Sequence, residues 1–117
     1  QIKLININEY VGYNQTYKTN KKTKIAIVGI GYADGIPRLL SNKGKVYYKD
    51  NIFNIIGRIS MDTFTIDISN SKDKIKTGIF VDLINYNHGL DEFAKKCNTI
   101  SYEILTSIGN RVKRIYD

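Results

Sequence analysis

The sequence has one cysteine, one histidine and no long apolar run, and each shortage excludes a class of protein. Cys97 cannot form an internal disulfide, so burial alone must hold the fold, which suits a reducing cytosol. We expect its thiol to be buried and inert. His88 has no companion ligands, which argues against a metal site. No segment approaches the roughly 18 apolar residues that cross a bilayer, and no charged-then-apolar leader is visible after Gln1.

Length and charge narrow the class further. At 117 residues the chain is long enough for one domain, 1–117, and too short to hold an α/β barrel as well. We therefore expect a soluble, cytoplasmic domain cut from the interior of a longer protein, without a membrane partner. Eighteen basic against 11 acidic residues give a net charge of +7, but the charge is scattered. This favours a solvated surface over a nucleic-acid site, because aromatic residues are not interleaved with arginines.

Short runs of β-branched and aromatic residues, bounded by turn formers, predict strands. The predicted strands are Ile2–Ile7, Lys24–Ile30, Lys45–Lys49, Ile52–Ile56, Thr63–Ile68 and Ile79–Ile84. Phe64, Ile66 and Ile68 alternate with polar residues, which is typical of a half-buried strand. The pair Asp50–Asn51 suits a tight hairpin turn because both residues tolerate positive φ.

The pattern changes to helical spacing near the end of the chain. A short helix is predicted over Asp91–Cys97, and a second begins with Ser101 as N-cap and ends at Gly109–Asn110. Arg111–Tyr116 then reads as a last strand. The sequence therefore predicts a mainly β fold, a small closed or partly open β-barrel with two short helices near the C-terminus.

Three glycine-flanked motifs carry the chemistry: Val11–Tyr17, Gly31–Arg38 and Gly57–Asp62. Glycine permits the sharp turns that present polar groups from a rigid scaffold, where function gathers. A fourth block, Asn98–Glu103, lies where the second helix should begin, and helix N-termini favour anions. Taken singly, each motif has a simpler explanation: a packed tyrosine, a strand-ending turn or a methionine that fills the core.

Together these blocks, over Glu9–Tyr116, resemble the carboxy-terminal domain of alanine racemase, a bacterial pyridoxal-phosphate enzyme that interconverts L- and D-alanine. The resemblance implies that Tyr13 is the base that removes the α-proton of L-alanine. Because phenols ionise near pH 10, such a base needs nearby positive charge, for which Arg38 and Arg58 are candidates. The chain departs from the family pattern at Asn14–Gln15, where glycine often follows the tyrosine.

The resemblance also implies roles for residues that move no proton. Met61 is expected to aim its backbone N–H at the substrate carboxylate, Asp62 is the acid that neighbours an entrance arginine, and Tyr102 is expected to bind the cofactor phosphate. Four residues are expected to line the entrance corridor that screens substrates: Tyr32, Arg38, Arg58 and Ile100.

One essential group is missing. Pyridoxal phosphate requires a lysine that forms a Schiff base, and no lysine here lies in a suggestive context. The resemblance places that lysine on the amino-terminal barrel and implies a homodimer, in which Tyr13 acts in the partner's site. The alternatives are a serine or broad-specificity amino-acid racemase and, in another class, a basic nucleic-acid-binding β-barrel. The family's product, D-alanine, is a peptidoglycan precursor.

Overall fold

Short antiparallel strands dominate the chain, as the runs of β-branched residues predict. The computed structural model describes residues 1–11 and 17–113. The strands are β1 (Ile2–Ile5), β2 (Tyr10–Val11), β3 (Tyr17–Lys18), β4 (Thr23–Val28), β5 (Lys45–Tyr48), β6 (Asn51–Ile56) and β7 (Phe64–Asp67). The helices are α1 (Leu90–Lys96) and α2 (Ser101–Ser107), with 3₁₀ turns at Tyr32–Asp34 and Arg38–Leu40. Within these ranges neither helix has the length or apolar content to span a bilayer.

Five of the strands form one antiparallel sheet in the order β1-β4-β7-β6-β5, and β2 pairs with β3 in a separate ribbon. Strand β7 lies at the centre, between β4 and β6. In the described part of the chain the edge strands β1 and β5 do not pair with each other, so the sheet stays open. The mainly β fold with two short C-terminal helices is confirmed, in its partly open form.

The core lies on one face of this sheet. Phe64, Ile66 and Ile68 are almost completely buried, whereas Thr65 and Asp67 between them are half-buried. This is the period-two pattern that the sequence predicts. Helix α1 covers the same core with its buried side chains, Phe93 and Ala94.

The β5–β6 hairpin is confirmed, but its turn lies one residue earlier than predicted. Tyr48 pairs with Asn51, so the turn residues are Lys49 and Asp50, and Lys49 takes the positive φ of 52°. Asn51 belongs to the strand because its amide is already engaged. It donates to the Tyr48 carbonyl and to Asp73, and accepts from the N–H of Lys72.

The predicted strand Ile79–Ile84 is wrong as a strand, although its alternation is real. Ile79, Val81 and Leu83 are half-buried, and the residues between them are exposed. Only Asp82 exchanges backbone hydrogen bonds with β5, at Tyr47, both 2.8 Å long. A single bridge gives an extended segment rather than a ladder.

The two helices are confirmed with shifted ends. Helix α1 begins and ends one residue earlier than predicted, with Gly89 as N-cap. Ile100, not Ser101, is the N-cap of α2. Ser101 is the first helical residue, and its hydroxyl donates a hydrogen bond to Asp91 of α1. Helix α2 ends at Ser107, before Gly109.

The predicted last strand, Arg111–Tyr116, is only partly described. Residues 111–113 form a turn and bend rather than a strand, and the side chain of Arg111 forms ion pairs with two acids. Residues 114–116 lie outside the described residues.

Candidate functional site

The second motif forms a tight turn directly after β4. Tyr32–Asp34 is one turn of 3₁₀ helix, and Gly35 ends it at φ 102°, where its N–H donates to the Tyr32 carbonyl at 3.1 Å. A positive φ of this size favours glycine. The Asp34 carboxylate accepts a 3.1 Å hydrogen bond from the N–H of Gly31 and so closes the turn from the other end. Tyr32 is thereby held exposed at the end of the sheet.

The third motif lies directly against the second. The N–H groups of Tyr32 and Ala33 donate to the carbonyls of Ser60 and Met61, each at 3.0 Å. Gly31 permits this approach, since an added Cβ would collide with the Ser60 carbonyl and lie 2.5 Å from that of Met61. The two motifs are therefore joined into one unit by backbone hydrogen bonds.

Tyr32, Arg38 and Arg58, three of the residues expected to line an entrance, lie together around one open cavity of about 710 Å³. The Arg38 guanidinium lies 5.6 Å from the centroid of the Tyr32 ring, a cation–π distance. Lys43 also lines this cavity. Within residues 1–11 and 17–113, no carboxylate lies within 4.0 Å of any of these three cations. The cavity therefore presents positive charge.

A second set of hydrogen bonds fixes the backbone around Arg58. Asn42, at φ 59°, donates its N–H to the Gly57 carbonyl at 3.1 Å and accepts the N–H of Gly57 on its side-chain oxygen at 2.5 Å. The Ser41 hydroxyl accepts the N–H of Ile59 at 2.9 Å. Arg58 thus projects from a backbone that is held on both sides.

Met61 does not fill the core. Its side chain is 53% exposed, and it lines a second open cavity of about 240 Å³ together with Tyr32, Ser60 and Asp62. No residue in the described ranges accepts a hydrogen bond from the Met61 N–H. The turn is fixed by Ser60, whose N–H and hydroxyl both donate to the Thr63 carbonyl. The Met61 N–H is therefore a preorganised donor beside a cavity.

Ile100 and Tyr102 lie at the start of α2 and are 67% and 73% exposed. A third cavity of about 320 Å³ joins Tyr32 to the side of α2, through Glu103 and Ser107. In the described part of the chain, neither Ile100 nor Tyr102 lines any of the three cavities around Tyr32. The structure thus brings Tyr32, Arg38, Arg58 and Met61 together and leaves these two beside them.

Tyr13, the predicted base, lies outside the described residues, as does the rest of 12–16. The strands that flank it, β2 and β3, pair through Tyr10–Lys18 and Val11–Tyr17.

Sequence reasoning missed Arg111 and Asp34 as parts of this site. The sequence predictions place Arg111 in the last strand and Asp34 inside the motif Gly31–Arg38, without a role for either side chain. In the structure, Nε of Arg111 lies 2.9 Å from Oδ1 of Asp34, and its Nη1 lies 3.0 Å from Oδ1 of Asp62. The available signal was an acid inside a glycine turn, which needs a cation when it is buried. The sequence does not indicate which cation.

Two other titratable side chains, Cys97 and His88, are held in packing contacts. Cys97 is buried, and burial raises the pKa of its thiol against the opposing charge of Lys96. The His88 ring stacks on Tyr47 with centroids 3.8 Å apart. Its Nδ1 lies 3.3 Å from the Glu92 carboxylate, outside hydrogen-bond geometry. The described ranges contain no group of three or more side chains able to hold a metal ion.

Comparison with curated proteins relates the whole chain to one family. The chain is 43% identical over 117 residues to an alanine racemase of Brucella ovis, which covers 99% of this chain and 30% of that protein. It is 46% identical over 119 residues to an alanine racemase of Clostridium perfringens, which covers 98% of this chain and 31% of that protein. The chain thus spans about a third of the length of these relatives.

Solved structures agree in fold. The alanine racemase of Bartonella henselae, with covalently bound pyridoxal phosphate, superposes with a TM-score of 0.96 at 42% identity, covering 100% of this chain and 33% of that one. That of Clostridium difficile gives 0.91 at 37% identity, covering 100% and 31%. The model of the alanine racemase C-terminal domain matches residues 1–116. The chain therefore belongs to the alanine racemase C-terminal domain family.

Proposed function

We propose that this chain is the C-terminal domain of a pyridoxal-phosphate enzyme that interconverts L- and D-alanine. Family membership supports the proposal, and one observation carries it to a site. The Met61 N–H has no acceptor among the described residues, and Met61 lines a cavity together with Tyr32. An amide held this way is suited to bind the carboxylate that all amino-acid substrates share.

The residues present fit part of the cofactor. The exposed Tyr102 has no hydrogen-bond partner in the described part of the chain, so its hydroxyl is available to a phosphate oxygen. When bound, pyridoxal phosphate supplies an electron sink that acidifies the bond between the α-carbon and its hydrogen. The lysine that holds the cofactor is proposed to lie outside this chain, on an amino-terminal barrel.

Tyr13 is proposed to take the α-proton from the L-enantiomer. A phenol ionises near pH 10 in water, so a tyrosine base near neutral pH depends on positive charge that favours the phenolate. Arg38 and Arg58, which have no carboxylate partner in the described ranges, supply such charge on this domain. They also line the entrance with Tyr32, where unpaired cations attract anions and small zwitterions.

The site is proposed to be completed by a second subunit. The chain supplies a hydrogen-bond donor to the substrate carboxylate, a hydrogen-bond donor to the cofactor phosphate, and a base. Another subunit's barrel supplies the lysine that holds the cofactor. Such an enzyme is a homodimer in which Tyr13 acts in trans. No nucleic acid is needed for this function, and the family match favours it over the basic nucleic-acid-binding barrel.

The role of Tyr13 is tested by exchange of the α-hydrogen in deuterium oxide, in the intact enzyme that contains this chain. Tyr13→Ala is expected to abolish exchange from L-alanine and to leave some exchange from D-alanine, because the base acts on one face of the substrate. Tyr86→Ala, which removes a fully exposed tyrosine, is the control and should leave both rates unchanged. Equal loss from both enantiomers would contradict a one-sided base.

Two further measurements test the assembly and the substrate. The 117-residue chain alone, incubated with pyridoxal phosphate and L-alanine, is expected to form no D-alanine above a denatured control. A panel of L-amino acids offered to the intact enzyme separates alanine racemase from the serine or broad-specificity alternatives. A higher kcat/KM for serine than for alanine would overturn the proposed substrate.

A further inference from the structure

A single arginine joins the two interlocked motifs from the far end of the chain. Arg111 lies four residues after α2, and its guanidinium contacts an acid in each motif. Nε lies 2.9 Å from Asp34 Oδ1, and Nη1 lies 3.0 Å from Asp62 Oδ1. The two acids are 77 and 49 residues away along the chain. Arg111 is therefore the charged bridge between the motif of Tyr32 and the motif of Met61.

Asp34 needs this bridge because it is buried. Only 9% of its side chain is exposed, and a carboxylate in that setting is unfavourable unless it is paired and hydrogen-bonded. One oxygen accepts the N–H of Gly31, and the other accepts Nε of Arg111. The Asp34 carbonyl also accepts the N–H of Gly109 at 3.1 Å. The segment after α2 is thus attached to the second motif through both backbone and side chain.

Asp62 has a different environment and needs the bridge for a different reason. Its side chain is 62% exposed, and it lines the cavity beside Met61, whose N–H is the proposed donor to the substrate carboxylate. Without a paired cation, the negative charge of Asp62 would repel a substrate carboxylate bound beside it. Among the described residues, Arg111 is the cation paired with Asp62.

We propose that Arg111 is a positioning residue for substrate: it holds the two motifs together through Asp34 and offsets the charge of Asp62 beside the Met61 N–H. The inference rests on the proposed function and extends it to a residue that touches no reacting atom. It assigns to the segment after α2 a part in binding anionic substrates.

The charge of Arg111 is constant over the range of any assay. Its hydrogen bonds to Asp62 and then to Asp34 raise the pKa of the guanidinium, which ionises far above neutral pH in any case. Changes in substrate binding near neutral pH therefore do not arise from this residue. Only substitution tests it.

The test is steady-state racemisation of L-alanine by the intact enzyme with Arg111→Gln. We expect KM to rise about tenfold with kcat changed less than about threefold, the pattern of lost ground-state binding. Propionate, which has the substrate's carboxylate and lacks its amino group, serves as a competitive inhibitor. Its inhibition constant should rise in parallel with KM.

Three further variants separate the charge effect from loss of structure. Lys113→Gln removes an equal charge two residues away, where no ion pair forms with a described residue, and KM should stay within about twofold. Adding Asp62→Asn to Arg111→Gln removes the uncompensated negative charge, so it should restore most of the KM. Should Arg111→Gln fail to fold, Arg111→Lys decides: it keeps the positive charge but loses the two-nitrogen fork, so KM should rise by about threefold and no more.

Three outcomes overturn the inference. They are an unchanged KM in Arg111→Gln, a double variant no better than the single one, and a tenfold rise in Arg111→Lys. An unsubstituted enzyme that does not racemise alanine overturns the proposed function, and this inference with it. If the unsubstituted enzyme is active and Arg111→Gln leaves its KM unchanged, only the inference about Arg111 is overturned.

Discussion

The N–H of Tyr32 donates a 3.0 Å hydrogen bond to the carbonyl of Ser60, and this bond joins two loops that leave different strands of the sheet. Ala33 and Met61 repeat the contact one residue later. Each loop alone resembles an ordinary turn, with an exposed tyrosine in one and an exposed methionine in the other. Paired, they place around one cavity an aromatic ring and the Met61 amide, whose N–H has no acceptor among the described residues, and the proposed function depends on this geometry.

Gly31 is predicted to be essential for this pairing. In Gly31→Ala the new Cβ would meet the backbone carbonyls of Ser60 and Met61, which cannot move away as a flexible side chain could. We expect the free energy of unfolding to fall by about 2 kcal/mol, measured by chemical denaturation of the chain. Gly29→Ala is the matched control, because a Cβ there meets nothing within 4 Å. Equal losses in both variants would contradict a close approach at Gly31.

Asn51 is predicted to contribute more to stability than a neighbouring asparagine on the same strand. Its buried amide makes hydrogen bonds to Tyr48, Lys72 and Asp73, and Asn51→Ala should lower the free energy of unfolding by about 2 kcal/mol. Asn54 is exposed, and among the described residues its side chain accepts a hydrogen bond from the Lys45 ammonium alone. Asn54→Ala should change stability by less than about 0.5 kcal/mol. Comparable effects would show that the amide of Asn51 is not needed to hold 72–73.

Cys97 is predicted to make stability depend on pH in the alkaline range. Burial raises the pKa of the folded thiol above its ordinary 9.0, so the unfolded thiol loses its proton first. The free energy of unfolding should therefore fall as pH rises from the unfolded to the folded pKa, and level off below the unfolded one. The measurement is denaturant unfolding at pH values from about 7 to about 10, which bracket the ordinary pKa of a thiol. Cys97→Ala should show a smaller fall in the free energy of unfolding, because it lacks the contribution of the thiol and keeps only that of the other groups.

Tyr102 is predicted to bind the cofactor and not to move a proton. Tyr102→Phe removes one hydrogen bond to a charged phosphate, so the dissociation constant of pyridoxal phosphate should rise about tenfold in the intact enzyme. The measurement is titration of the apoenzyme, followed by cofactor absorbance. Tyr86→Phe removes the same hydroxyl from a fully exposed ring and should leave the constant unchanged. An unaltered constant in Tyr102→Phe would remove this residue from the cofactor site.

Much of the fold follows from local pattern. The alternation of Phe64, Ile66 and Ile68 predicts a strand buried on one face, and the spacing around Phe93 predicts α1. Boundaries move where a side chain is used elsewhere, as with Asn51, whose amide binds 72–73 and so shifts the turn to Lys49 and Asp50. Such bonds connect distant residues and leave no trace in a local window.

The sequence by itself determined the family, the mainly β fold, and the motifs that present Tyr32, Arg38, Arg58 and Met61, because residue types at fixed spacing are local information. Only the tertiary structure decided how these motifs meet. The approach of Gly31 to Ser60 and the bridge from Arg111 to Asp34 and Asp62 join residues 29 to 77 positions apart. Contacts over such separations form when the sheet packs, and burial of Asp34 then requires a cation that no neighbouring residue supplies.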